Sequence, residues 1–256
     1  MRRFYLFTPI IAAALLLASA IAASAQTGQL RGHVLLKQAD GATAKAAGAP
    51  IDEGVLVVRV DSLEVAREAF RVSHGRLSRG EAGWTLATTI RYDRARPVIV
   101  LAPILEVNGD TLPATLQYDV ADPRQPSRIL GELGRRRFTV RLIARATERA
   151  REFATGPRAV VLDDSVFALY VFAAWRAAAE PAVITAIFPR ALRRETVQIH
   201  DLGPASTTLN HDPAHLRHIT VAGDQGTLHL WLDDKGRLMK VEIPGRHLVA
   251  ERLAGS

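Results

Sequence analysis

Three imidazoles and a carboxylate crowd the stretch His211-Asp212-Pro213-Ala214-His215-Leu216-Arg217-His218. Imidazole nitrogens and carboxylate oxygens are ordinary transition-metal ligands. A metal site at His211, His215 and His218 is therefore one reading. Pro213 works against it, because a continuous helix cannot run through His211 and the i, i+4 spacing no longer aligns the rings. The favoured reading is a polar loop leading into a strand. His200 and His229 would join a site only if the fold carried them there.

Other chemistries find less support. There is no Gly-x-Ser-x-Gly elbow, no His-Glu-x-x-His, no glycine-rich phosphate loop and no Ser-x-x-Lys. The chain has no Cys, which excludes thiolate catalysis, disulfides and Cys-ligated metal centres. The acid pairs Asp163-Asp164 and Asp233-Asp234 fit a helix start and a turn, without any role in proton transfer. The basic runs 135–137 and 193–194 have no interleaved aromatics, so they do not form a nucleic-acid stacking platform. They read as solvated turn residues, with anionic lipid or polymer as the lesser alternative. The protein is expected to be non-catalytic and to need no cofactor.

The aromatics are the remaining candidates. Residues 165–179 (SVFALYVFAAWRAAA) predict one helix, led by the N-cap oxygens of 163–165 and stopped by Pro181. Its apolar side chains cover almost the whole circumference, so it must be buried. Phe167, Tyr170 and Trp175 are most simply core; the sharper reading makes them, with Trp231, the lining of a cavity for an apolar ligand.

What must position these residues is a set of strands. Short runs of β-branched and aromatic residues stand at 55–60, 65–73, 84–92, 98–101, 112–120, 138–144 and 158–162, and again at 183–188, 195–200, 219–222, 227–232, 238–243 and 247–253. Asn108-Gly109-Asp110 is a hairpin turn, and Gly236 ends the four-residue loop of a second hairpin. In the first arm of that hairpin Leu228, Leu230 and Leu232 share a face opposite Thr227, His229 and Trp231. No regular β-α-β alternation appears. The expected fold is mainly β (α+β): a long antiparallel meander forming a half-barrel wrapped around one apolar helix.

The domain plan follows from the first quarter of the chain. Residues 1–25 read as a secretory signal peptide, with Arg2 and Arg3, an apolar run and an Ala23-Ser24-Ala25 cleavage site. The alternative, an uncleaved anchor, lacks a reason for that motif. Loss of Arg2 and Arg3 lowers the formal net charge from +7 to +5. Residues 38–50 are small and polar, so 26–53 read as a flexible segment; 54–256 form a single β-rich domain. No other stretch is long and apolar enough to span a bilayer. The expected location is periplasmic or secreted, where a basic surface meets lipid headgroups and cell-wall polymers, not nucleic acid.

Three features together resemble a family of exported bacterial β-rich proteins of unknown function. They are the opening from Gly54 through Phe70, the aspartate-led apolar segment Asp164 to Tyr170, and the Trp231 hairpin that runs on through Pro244 to Arg252. More distantly, the family resembles the half-barrel proteins that carry lipoproteins through the periplasm. The resemblance implies an incomplete barrel with a helix in its mouth, a lipid or other apolar ligand, and no catalytic residue. The function expected is non-catalytic binding of an apolar or amphipathic ligand at the cell envelope. The alternative is a structural module that binds an envelope protein.

Overall fold

The computed structural model describes residues 48–254. The signal-peptide reading and most of the flexible segment lie outside the described residues. The strand β1 (Ala49–Val60) already includes the last residues of that segment.

The chain then runs through β2 (Leu63–Arg76), β3 (Ala82–Tyr92), β4 (Ile99–Asn108), β5 (Pro113–Ala121), β6 (Ser127–Leu133), β7 (Arg137–Ala144), β8 (Glu148–Ala154) and β9 (Ala159–Val161). A short helix, α1 (Tyr170–Ala174), precedes β10 (Ala182–Phe188), β11 (Arg193–Leu209), β12 (Asp212–Gly223), β13 (Gly226–Leu232) and β14 (Leu238–Ile243). A 3-10 turn, Pro244–Arg246, leads to β15 (Leu248–Arg252). Among the described residues the architecture is thus mainly β with one short helix.

All strands join one 15-stranded open sheet, ordered β8-β7-β6-β5-β4-β3-β2-β1-β15-β14-β13-β12-β11-β10-β9. Sequence neighbours pair as antiparallel hairpins. Two joins differ: the last strand closes on the first, with Leu56 opposite Arg252, and β9 lies parallel to β10. Pairing β1 with β15 puts the two ends of the described chain mid-sheet and leaves β8 and β9 as edges.

Period-two alternation decides which side faces the core. In β2, Ala66, Glu68, Phe70 and Val72 are all buried, while Arg67 and Ala69 are exposed. In β13, Leu230 and Leu232 are fully buried. One continuous cluster joins these side chains to Phe167, Leu169, Tyr170 and Phe172 of the central segment. Gly131 of β6 serves close packing: a Cβ there would stand 2.6 Å from the Phe138 ring.

The helix is much shorter than 165–179. All five of its residues are buried, as the apolar circumference requires, but α1 ends seven residues before Pro181. The polar groups around it explain this. Asp163 Oδ1 accepts the Ser165 N–H at 2.8 Å. Glu68 takes the N–H groups of Phe167 and Ala168. The Tyr170 and Val171 N–H groups reach back only three residues. Beyond Trp175 the Ala178 carbonyl accepts from Asp201 N, which draws the chain onto β11. Asp163-Asp164-Ser165 therefore does not cap α1, which starts after Leu169.

The His-rich stretch is also a correction. From Asp212 on, instead of a loop, it forms the first half of β12, paired with residues 203–209 of an unusually long β11. The pairing shifts register between Asp201 and Gly203, where Gly203 adopts φ +78. Past this bulge the hairpin tip meets the other strands: Lys240 Nζ donates to Thr208 O at 2.8 Å, and Asn210 Nδ2 to Arg252 O at 2.8 Å.

Candidate functional site

A cavity of about 410 Å³ opens between the central segment and strands β10 to β14. Its apolar wall comes from Leu162, Phe188, Val197, Val221, Leu228 and Ile243. Alternation along β11, β12 and β13 sends Val197, Val221 and Leu228 to the same side. The polar side chains at this cavity are Asp164, Tyr170, Glu195, Gln225, Thr227 and Arg246.

Arg193 ties the mouth together. Its guanidinium lies 3.6 Å over the Phe188 ring, donates from Nη2 to both oxygens of Asp164, and donates from Nη1 to Glu195 Oε2 at 2.7 Å. It is a structural clamp and not a solvated turn residue. Burial pushes the Glu195 carboxyl above its usual range against the pull of Arg193, and Asp224 and Asp164 add to the rise. Burial, then the charges of Asp164 and Asp163, hold the Tyr170 phenol well above its ordinary value, so it is a neutral hydroxyl.

Beneath the cavity lies a second polar layer that the sequence reading missed. Asp163 is 2% exposed and takes a forked pair of bonds from Arg190 at 2.9 and 3.0 Å. The Tyr118 hydroxyl donates to Asp163 Oδ2 at 3.2 Å, and the Tyr92 hydroxyl donates to Ser165 O at 2.8 Å. Glu68 is fully buried and receives Phe167 N–H, Ala168 N–H and the Thr88 hydroxyl. Burial raises its carboxyl to about 7, although those three donors favour the ionised form. The bonds fix the backbone of 163–168 against β2, β3 and β5, which sets the position of Tyr170.

The four aromatic candidates separate. Tyr170 lines the cavity. Phe167 is fully buried in the core, and Trp175 packs edge-on against Phe172 and Trp84 with its ring N–H toward Gly236 O. Trp231 belongs to the opposite side of β13. There it stacks on His218 at 4.1 Å and donates to Glu242 Oε2 at 2.9 Å.

The three histidines of the metal reading are not brought together. His211 sits in the β11–β12 turn at φ +76. His215 and His218 are three apart along β12 and so face opposite sides of the strand. His218 Nε2 instead shares a hydrogen bond with His229 Nδ1 at 2.8 Å. Burial, then His229, lowers the His218 pKa. No group of three or more His, Asp or Glu side chains among the described residues is arranged to hold a metal ion.

No protein-family model and no curated protein matches the chain. The solved structures include a similar one, the crystal structure of a beta-barrel-like protein of domain of unknown function DUF1849 from Brucella abortus. It covers 81% of this chain and 97% of that chain, at 10% identity and a TM-score of 0.49. No helix among the described residues is long and apolar enough to cross a membrane.

Proposed function

We propose that this is an exported, non-catalytic binding protein of the cell envelope, which holds one amphipathic ligand in the cavity beside Tyr170. The observation that carries this reading is the cavity itself: about 410 Å³, lined by apolar side chains together with charged and polar ones. That volume falls within the usual range for small-molecule sites. Its apolar wall suits a ligand with an apolar part, and its charged groups suit one with a polar end.

The proposal includes a half-barrel shape, with the sheet bent around residues 163–178. Hydrogen bonds to this one segment come from β2, β3, β5 and β11 and from the turns after β4 and β13, which supports a curved sheet. The lipoprotein-carrier resemblance and the leader-like residues 1–25 support export and an apolar ligand.

Titration with the apolar fluorophore N-phenylnaphthylamine tests the site. The wild-type protein should enhance its emission saturably at one site per chain. Leu228→Trp should abolish the enhancement, because the indole fills the cavity. Enhancement that never saturates, or that survives Leu228→Trp, would count against the reading.

A further inference from the structure

The two basic runs of the sequence, 135–137 and 193–194, meet in the fold. Thr155 N donates to Arg136 O at 3.2 Å, and Arg194 Nη1 donates to Ala154 O at 3.5 Å. The turn between β8 and β9 thus joins segments that lie far apart in sequence. Arg158 ends that turn, and its carbonyl accepts from Thr185 N at 3.0 Å. Arg135, Arg136, Arg158 and Arg194 are all exposed, and none is ion-paired with a carboxylate among the described residues. Residues 134–137, 152–158, 180–185 and 193–196 carry six arginines against three glutamates, a formal excess of three positive charges. Two of those glutamates are occupied, Glu152 by Arg137 at 3.4 Å and Glu195 by Arg193 at 2.7 Å. Such a one-signed patch attracts an anionic partner.

A recess of about 170 Å³ opens within this patch. Its lining includes Arg158, Thr155, Thr185 and Thr196, and no acid. Guanidinium and hydroxyl groups are ordinary donors to phosphate oxygens. Val183 also lines the recess and is 62% exposed. Thr185 pairs with Thr196 and Val183 with Gln198, so Val183, Thr185, Thr196 and Arg194 share the face of the sheet opposite the core. An apolar side chain beside phosphate donors suits a bilayer, which presents headgroup phosphates and acyl chains together. A soluble polyanion offers Val183 nothing.

We propose that this patch docks the protein on an anionic membrane surface, with a lipid phosphate beside Arg158 in the recess, Arg135, Arg136 and Arg194 on neighbouring headgroups, and Val183 at the level of the first acyl carbons. The docking is independent of the cavity beside Tyr170, whose wall uses Val197 on the other face of β11.

The test is co-sedimentation with vesicles of phosphatidylcholine, and with vesicles in which about a third of the lipid is phosphatidylglycerol. The anionic vesicles should bind the protein at least about tenfold more tightly, and added salt should remove the difference. Arg158→Gln should weaken that binding about fivefold, the worth of one cation at an anionic surface. Arg145→Gln removes the same charge from the β7–β8 turn, at the other end of β7 from Arg135 and Arg136, and should change binding by less than about twofold. Val183→Ser should weaken vesicle binding about threefold and leave binding to soluble dextran sulfate unchanged. All three side chains are exposed, so an unchanged thermal midpoint shows each variant folded. Equal binding to the two vesicles, or equal losses in Arg158→Gln and Arg145→Gln, overturns the docking patch. Vesicle binding indifferent to Val183→Ser overturns the bilayer as its occupant and points to a soluble polyanion.

Discussion

Glu68 is the residue on which the polar layer turns. Its carboxyl is raised from 4.5 to about 7 by burial, so the folded state binds a proton more tightly than the unfolded chain. The unfolded carboxyl is already ionised above pH 4.5, while the folded one still holds its proton. Stability therefore falls as pH rises between these values. The full swing is about 3 kcal/mol. We expect the thermal midpoint, followed by circular dichroism, to drop between pH 5 and pH 8. Glu68→Gln should flatten that slope even if it lowers the midpoint at every pH. An unchanged slope would mean that other groups cause it. The residue was legible in part: it occupies the buried register of Ala66, Phe70 and Val72, where a carboxylate is out of pattern. Its partners were not, because the N–H groups of Phe167 and Ala168 come from a distant segment and backbone donors carry no sequence signature.

Elements were legible where alternation is clean. The Leu228–Leu232 face and the loop ending in Gly236 match β13 and β14, apart from a register shift after Trp231 that lets both Leu238 and Val241 reach the core. β6 and β8 escaped notice for a physical reason. The buried register of β6 contains Gly131, and β8 buries only Phe153 among its residues, so neither shows an apolar stripe. The structural value of Gly131 is testable. Gly131→Ala puts a methyl 2.6 Å from the Phe138 ring and should cost about 2 kcal/mol in urea denaturation, by overpacking. A neutral result would show that Phe138 swings aside freely. The helix was over-read because residues 165–169 are as apolar as α1. What ends regular helix there is the competing set of carboxylate acceptors, which apolar periodicity does not register.

At the scale of the molecule, closure of β1 on β15 ties the first and last described strands together, and the edge strand β8 carries charges of both signs, Glu148, Arg149, Arg151 and Glu152, which resist pairing with other sheets. The mainly β, antiparallel plan followed from strand spacing and turn residues. The cavity did not, since it exists only where β10 to β14 face Leu162, Asp164 and Tyr170. The account's central claim is that this cavity holds a ligand in an exported protein. Native mass spectrometry of the protein purified from the envelope fraction tests it most directly. The account predicts a chain beginning at Gln26 that carries one small molecule per protein, lost in Leu228→Trp. A bare chain in the wild type, or a bound molecule that Leu228→Trp retains, would contradict it.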